Sequence, residues 1–282
     1  MKGYTSTLNN EAYIDRMINA CNRAGIRINL KDPKTIQEKL CWLNIYDVNP
    51  LKPLCADKIR VREYCQDRLG QDICIPLIAT YEKTQDMDWN SLPDKFVIKC
   101  NHGSGMNLII KDKSVIDFEK VKQVLNTWLA TDFTFQNGFE SHYHGIERKI
   151  LIEEYVNDGH EALLDYKFIC FNGNPTFMQI FSDRFTDHLS DNYYDMDFNF
   201  VDISRNDIRN NPEIIHEKPS SFELMKEYAK KLSEPFKFVR VDFYEINGQP
   251  FLGEMTFTPG AMLFKYTNPE HNIMMGDLLK LE

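Results

Sequence analysis

The strongest constraint on the fold is a short glycine-rich loop between two apolar segments. From Lys95 to Ile110 the sequence reads KFVIKCNHGSGMNLII. Gly103, Ser104 and Gly105 can offer bare backbone N–H groups to a phosphate, and Lys99 can add a positive charge. A Walker loop would end in Gly-Lys-Ser/Thr and open a helix, but the residues after Gly105 read as a strand. The pattern predicts a hairpin that folds over a triphosphate, although a hairpin turn without a ligand fits the same residues.

A second hairpin, from Val239 to Thr256, has carboxylates among its apolar residues. Period-two alternation places Arg240 and Asp242 on one face of the first strand, and Glu254 and Thr256 on one face of the second. Two carboxylates on adjacent strands make a hard-oxygen site of the kind that Mg²⁺ uses together with substrate phosphates. A solvated polar face of an antiparallel sheet is the alternative interpretation.

The turn decides between these two interpretations. A two-residue Asn247-Gly248 turn is favoured by local statistics, but it would pair Asp242 with Gly253 and send Glu254 to the opposite face. We therefore predict an odd-length loop, most simply three residues with Gly248 at positive φ, or else a bulge within the hairpin. The three-residue loop would pair Arg240 with Glu254.

The rest of the chain predicts an α+β fold with largely antiparallel sheets, because several strand hairpins are mixed with a few helices. Predicted helices cover residues 10–45, 56–69 (charged and exposed), 118–129 and about 220–232, and predicted strands cover 149–154, 163–171, 176–181, 237–246 and 249–257. The Asn49–Pro53 stretch is the best candidate for a boundary.

Composition limits the class of protein. The 282 residues carry a net charge of −9, which argues against a broad nucleic-acid-binding face but leaves room for a local basic cleft. No apolar run approaches the roughly 18 residues of a membrane span. Seven scattered cysteines without a Cys-x-x-Cys pair fit free thiols in a reducing compartment. We expect a cytoplasmic protein; a peripheral association with the inner membrane, beside polysaccharide assembly enzymes, stays open.

Together the two hairpins resemble the ATP-grasp superfamily, in particular its teichuronopeptide-biosynthesis (TupA-like) branch found with bacterial surface-polysaccharide genes. The resemblance runs from about Asp57 to Gly260. It implies two α+β subdomains that clamp ATP. We expect an N-terminal helical segment at 1–50 and an ATP-grasp domain at 51–282. Within that domain, a lid hairpin subdomain would cover about 75–155 and a metal and catalytic subdomain about 156–282.

The resemblance also implies roles for single residues. Lys58, after Asp57, and Lys99 are similar to the two lysines that contact the nucleotide phosphates. The segment Glu153, Glu154, Tyr155 and Val156 resembles the hinge that reads the adenine edge. The remaining expected roles are ribose binding for Glu161, metal binding for Asp242, Glu254 and Thr256, and catalysis for Lys167, Arg184 and Arg240. Many superfamily members carry Asn where this chain has Thr256, and a hydroxyl ligates Mg²⁺ more weakly.

The implied activity is an ATP- and Mg²⁺-dependent carboxylate–amine ligase that acts through an acyl phosphate. The expected acid is a uronic acid of a capsular or cell-surface polysaccharide or its precursor, and the expected nucleophile is an amino acid or small amine. A glycosyltransferase, an ATP-grasp small-molecule kinase and a non-catalytic binding module are alternatives. His142 and His144 could look like a zinc fragment, but they lack a Cys or His partner at suitable spacing and are predicted to lie on a surface loop.

Overall fold

The computed structural model describes residues 11–157, 163–182, 189–208 and 210–282. Its helices are α1 (Glu11–Arg23), α2 (Ile36–Tyr46), α3 (Leu51–Ala56), α4 (Val61–Leu69), α5 (Phe118–Ala130), α6 (Phe222–Ser233) and α7 (Pro269–Leu278). Its strands are β1 (Leu77–Tyr81), β2 (Phe96–Cys100), β3 (Asn107–Ile110), β4 (Ile150–Glu154), β5 (Asp165–Phe171), β6 (Asn174–Ser182), β7 (Ser190–Tyr194), β8 (Phe200–Val201), β9 (Phe238–Ile246) and β10 (Gln249–Thr256). The strands form two antiparallel sheets, which confirms the predicted α+β class.

The smaller sheet has four strands in the order β1-β4-β2-β3 and carries the glycine-rich loop. Strand β2 alternates between buried and half-buried residues, so that Phe96, Ile98 and Cys100 enter a core with Leu125 of helix α5. Lys99 points the other way because side chains on a strand alternate between faces. The predicted β2–β3 hairpin is confirmed, with Lys99 opposite Asn107.

The larger sheet has six strands in the order β10-β9-β5-β6-β7-β8. One face is apolar: Phe168 of β5 and Val241 and Phe243 of β9 pack with Phe222 and Leu232 of α6. All five residues are 0% exposed, and each such burial stabilises the fold by roughly 1.5–3 kcal/mol. The opposite face of the same central strands carries the polar residues of the candidate site.

The predicted helix over 10–45 is two helices separated by an irregular segment. Helix α2 begins where Thr35 and Glu38 form a capping box: the Thr35 hydroxyl accepts a bond from the Glu38 N–H, and the Glu38 carboxylate accepts one from the Thr35 N–H at 2.8 Å. The predicted exposed helix over 56–69 is also wrong in part. Helix α4 begins only at Val61, and it buries Val61 and Tyr64 against the larger sheet's core.

The β9–β10 hairpin contains the two-residue turn together with a bulge. Asn247 and Gly248 have φ of 51° and 73°, and Ile246 pairs with Gln249. The predicted three-residue loop is therefore wrong, whereas the alternative prediction of a bulge is confirmed. The register shifts between Leu252 and Glu254, so that Gly253 is the extra residue.

The bulge changes which residues face each other. Glu254 lies opposite Asp242 and Thr256 lies opposite Arg240, rather than Glu254 opposite Arg240 as the three-residue loop would require. Residues directly opposite each other in an antiparallel pair project to the same face. All four polar side chains thus share one face, as the metal interpretation needs.

Among the described residues, no helix is both long enough and apolar enough to cross a bilayer.

Candidate functional site

The loop between β2 and β3 holds its glycines in two different settings. Gly103 is buried, and a Cβ there would lie 2.5 Å from Cδ2 of Phe133, so no side chain fits. Ser104 and Gly105 are exposed, and Gly105 has φ of 72° with open space beside it. None of the described residues accepts a hydrogen bond from the backbone N–H of Ser104 or Gly105. These two groups are available to an anion.

Asn101, at the start of the loop, connects it to the segment before α4. Its side-chain amide donates to Asp57 Oδ1 at 2.9 Å and to the Glu147 carbonyl at 2.9 Å. Its own carbonyl accepts a bond from the Lys58 N–H at 3.2 Å. Asp57 also accepts from the Ile59 N–H at 2.9 Å, which fixes the turn that carries Lys58. The sequence analysis did not select Asn101, since a buried asparagine after a strand has no local signature.

Lys58 connects the glycine loop to the larger sheet. Its Nζ donates to the Gly103 carbonyl at 2.6 Å and lies 3.8 Å from Glu254 Oε2 on β10. Burial lowers the pKa of Lys58, Glu254 opposes that shift, and the positive charge of Lys99 adds to it. The charges of Lys58 and Lys99 therefore act on each other beside the glycine loop, next to a carboxylate of the other sheet.

Lys99 is held by an acidic residue of the neighbouring strand. Its Nζ lies 2.5 Å from Glu153 Oε2 on β4, and Arg62 lies 3.3 Å from Glu153 Oε1. Glu153 is buried, so the pair is screened little by solvent. The residue that the resemblance assigns to the adenine hinge is thus the ion-pair partner of the second lysine. Glu154 beside it is exposed, and Tyr155 and Val156 follow the strand end.

Three charged side chains meet in the middle of the polar face of the larger sheet. Arg240 donates to Asp242 through Nε at 2.7 Å and through Nη2 at 2.6 Å, while Lys167 of β5 donates to Asp242 Oδ2 at 2.7 Å. Burial alone would raise the pKa of Asp242, but the charges of Arg240 and Lys167 outweigh it and lower the pKa to about 2. Lys167 also lies 3.5 Å from Asp165. Asp242 is therefore ionised at neutral pH.

Glu254 and Thr256 on β10 complete this charged cluster. Arg240 Nη2 lies 3.4 Å from Glu254 Oε1 and donates to the Thr256 hydroxyl at 3.2 Å, and that hydroxyl donates to Glu254 Oε1 at 3.2 Å. Burial and the neighbouring Asp242 act to raise the pKa of Glu254, but the charges of Lys58, Arg240 and Lys167 together outweigh them and lower it. The Thr256 hydroxyl already orients Arg240 and Glu254.

The donor set fits a hard divalent cation. An ionised carboxylate offers about four lone-pair positions, and Asp242 uses three of them for Arg240 and Lys167. Glu254 Oε2 accepts no hydrogen bond from the described residues, its nearest cation being Lys58 at 3.8 Å. One position on Asp242 and Oε2 of Glu254 thus remain for a metal such as Mg²⁺.

Two residues that the sequence analysis misjudged or missed line the adjoining core. His142 is buried rather than on a surface loop, because it packs against Tyr143 and Phe257. Burial lowers the pKa of His142 to about 3, so its ring is neutral. Glu140 is buried beside Thr258, whose hydroxyl donates to it, and burial raises the pKa of Glu140 to about 7.

Within the described part of the chain, no group of three His, Cys, Asp or Glu side chains is arranged to hold a metal.

Two of the expected site residues, Glu161 and Arg184, lie outside the described residues. Of the others, the structure brings Lys58, Gly103, Arg240, Asp242, Glu254, Thr256 and Lys167 into one connected set of contacts.

The chain belongs to the TupA-like ATP-grasp family, whose pattern matches residues 38–280. This confirms the resemblance drawn from the sequence. A search of curated proteins gives no match.

Solved structures of similar fold include D-alanine–D-alanine ligase from Bacillus anthracis in complex with ATP, at 15% identity and TM-score 0.43, covering 72% of this chain and 55% of that one. They also include L-amino acid ligase from Bacillus licheniformis, at 12% identity and TM-score 0.45, covering 76% of this chain and 44% of that one. D-cycloserine synthetase is a third, at 13% identity and TM-score 0.43, covering 94% of both chains. The chain thus spans about half the length of the first two of these ligases.

Proposed function

We propose that the protein is an ATP-dependent carboxylate–amine ligase. The observation that carries the proposal is Lys58, which contacts the glycine loop of one sheet at 2.6 Å and lies 3.8 Å from Glu254 of the other sheet. Lys58 thus lies between the exposed backbone N–H groups of the glycine loop and the carboxylates of the β9–β10 hairpin. The phosphates of a nucleotide triphosphate need N–H donors and cations, and its metal needs carboxylates. Phosphoryl transfer depends on such positioning and charge neutralisation more than on covalent help from the protein.

ATP binds between the glycine loop and the β9–β10 hairpin in this proposal. Ser104 and Gly105 donate backbone N–H groups to phosphate oxygens, and Lys58 and Lys99 neutralise them. Asp242 and Glu254 would hold Mg²⁺, which would neutralise charge on the phosphate oxygens. The Thr256 hydroxyl orients these residues and ligates the metal only if it exchanges its bond to Glu254. The adenine lies against residues 153–156, and Glu161 binds the ribose.

The reaction proceeds in two displacements. A carboxylate oxygen of the acid attacks the γ-phosphorus of ATP and ADP leaves, giving an acyl phosphate. The amine nitrogen then attacks the carbonyl carbon, the nitrogen gives up a proton to solvent, and phosphate leaves with the bonding electron pair. Arg240 stabilises the carbonyl oxyanion, because its guanidinium is preorganised by two bonds to Asp242. Lys167 holds the other side of Asp242 and faces the phosphates, and Arg184 is assigned to the γ-phosphate or an acidic acceptor.

The acid is a uronic acid of a bacterial capsular or cell-surface polysaccharide or its precursor. Support for this substrate comes from the resemblance of the sequence to the teichuronopeptide-biosynthesis branch and from membership of the TupA-like family. The reaction is assigned to the cytoplasm, where ATP is supplied.

Calorimetric titration of ATP in the presence of Mg²⁺ tests the nucleotide site. Lys99→Ala should weaken ATP binding by roughly 1.5–3 kcal/mol, which is about 10- to 150-fold, because it removes a charge-assisted contact. Lys95→Ala, an exposed lysine next to the same strand, is the matched control and should leave the affinity unchanged. Equal ATP affinities for the wild type and Lys99→Ala would remove the nucleotide site from the proposal.

A second measurement tests the ligase assignment. ADP formation beyond one equivalent per enzyme should require both glucuronate and an amine, whereas continued ADP formation from the acid alone, with accumulation of a phosphorylated acid, would identify a kinase.

A further inference from the structure

Arg62 of helix α4 connects the larger sheet to the smaller one. Helix α4 packs into the apolar core of the larger sheet. Arg62 Nη1 donates to Asp72 Oδ2 at 3.0 Å, and Nη2 donates to the Ile75 carbonyl. Nη2 also donates, at 3.3 Å, to Glu153 Oε1 on strand β4 of the smaller sheet. This arginine has no part in the reaction as proposed above.

The contacts of Arg62 lie where the chain crosses from one sheet to the other. The Leu252 N–H of β10 donates to the Ile73 carbonyl at 2.8 Å. Three residues after Ile73, the Pro76 carbonyl accepts a bond from the Glu154 N–H of β4 at 3.0 Å. A side chain bonded on both sides of this crossing fixes the position of β4 relative to β10.

Glu153 is shared between two cations. Its side chain is 7% exposed, its Oε2 lies 2.5 Å from Lys99 Nζ, and its Oε1 accepts from Arg62. The charge of Glu153 also acts to raise the pKa of Lys58, so the carboxylate lies within electrostatic reach of both lysines assigned to the phosphates. Two cations and one carboxylate leave one positive charge over. Without Arg62, the charges of Lys99 and Glu153 would cancel.

A buried carboxylate holds its last cation strongly. Separating the partners of a buried ion pair costs roughly 3–5 kcal/mol, because an uncompensated charge is left behind. If Lys99 were the sole cation on Glu153, a phosphate would have to compete with the carboxylate for it. With Arg62 in place, Glu153 keeps a cationic partner while Lys99 turns its N–H donors to the phosphates.

We propose that Arg62 is a positioning residue for nucleotide binding. It compensates the charge of Glu153, and Lys99 is thereby free to contact the phosphates of ATP. Arg62 does not itself touch the nucleotide, because both of its Nη atoms are occupied by Asp72, the Ile75 carbonyl and Glu153. This role rests on the proposed function, since it presupposes that Lys99 binds ATP.

The test is a mutant cycle measured by calorimetric titration of ATP with Mg²⁺. Arg62→Gln keeps a side-chain donor and removes the charge, so it should weaken ATP binding roughly 10- to 150-fold, as the loss of a charge-assisted contact does. In a Glu153→Gln background the same change should weaken ATP binding by less than about 3-fold, because no buried carboxylate remains to hold Lys99. An arginine that only supported the fold would weaken ATP binding equally in both backgrounds.

Arg60→Met is the matched control and should leave ATP affinity unchanged, since Arg60 is exposed and pairs with Glu63 on the surface. Thermal unfolding without ligand shows which variants are folded, and Arg62→Met takes the place of Arg62→Gln in the cycle if the latter does not fold. Equal losses in the two backgrounds would overturn the role of Arg62. So would a normal affinity of Arg62→Gln beside a weakened Lys99→Ala, and the nucleotide site would stand in both cases. A wild-type protein that binds no ATP would overturn the proposed function together with this role.

Discussion

Replacing Asp242 by Asn should separate the structural and the metal-binding contributions of this carboxylate. The substitution preserves shape and removes the charge that Arg240 and Lys167 contact at 2.6–2.7 Å. The pKa of Asp242 is lowered from 3.8 to about 2, a difference of about two units. At 1.36 kcal/mol per unit, the folded state favours the carboxylate by roughly 2–3 kcal/mol. A lowered pKa contributes stability above the unfolded value and loses it as the pH falls toward 2, so the full effect is present at pH 7.

Urea denaturation at pH 7 without ligands should therefore give Asp242→Asn a free energy of unfolding roughly 2–3 kcal/mol below that of the wild type. Asp197→Asn, in an exposed turn, should differ by less than about 0.5 kcal/mol. If Asp242 also holds Mg²⁺, the increase in melting temperature caused by ATP with Mg²⁺ should vanish in Asp242→Asn and persist in the control. A variant that loses the stability but keeps the Mg²⁺-dependent response to ATP would refute the metal assignment and leave a structural ion pair.

Three further outcomes follow from the site. Arg240→Met should lower turnover by roughly 100-fold or more while ATP affinity stays within a few-fold of wild type; parallel losses, measured by steady-state kinetics and calorimetry, would make Arg240 a nucleotide-binding residue. Gly103→Ala should destabilise the fold by about 1–3 kcal/mol and weaken ATP binding, because the new Cβ would lie 2.5 Å from the Phe133 ring; unchanged thermal stability would contradict this. The raised pKa of Glu140, about 7 against 4.5, means that the wild type loses stability as the pH rises through this range. Between pH 4 and pH 8 the unfolding free energy of Glu140→Gln should thus gain about 3 kcal/mol relative to wild type, and a pH-independent difference would rule out a buried titrating carboxyl.

The local sequence pattern was sufficient to predict the elements in which apolar and polar residues alternate clearly. The glycine-loop hairpin follows from the alternation of β2 and the chemistry of glycine, and β2 pairs with β3 as predicted. The turn at Asn247-Gly248 is also the one that local statistics favour. The prediction of a three-residue loop failed because the need to place Asp242 and Glu254 on one face was met elsewhere, at Gly253.

The bulge lies where β10 meets a remote part of the chain. The Leu252 N–H donates to the Ile73 carbonyl at 2.8 Å, and Leu252 forms a parallel bridge with Cys74. Such a contact, between residues far apart in sequence, leaves no trace in the periodicity of the strand. Glycine at 253 is explained by the close approach of Tyr244, since a Cβ there would lie 2.9 Å from its ring.

The residues that support the site could not be predicted from the sequence for the same reason. Asn101 acts through Asp57, so its role has meaning only after the chain has folded. Burial of His142 likewise depends on Phe257, which is far from it in the sequence. Polar residues in loops are usually exposed, and only tertiary packing reverses that expectation.

The central claim is that ATP and its metal lie between the glycine loop and the β9–β10 hairpin. A crystal structure of the protein with ADP and Mn²⁺ in place of Mg²⁺ tests it most directly, because manganese can be located by its anomalous scattering. The account predicts an anomalous peak within coordination distance of Asp242 and Glu254, with the phosphates contacting Lys58 and the N–H groups of Ser104 and Gly105. A nucleotide bound elsewhere, or manganese that contacts neither carboxylate, would contradict it.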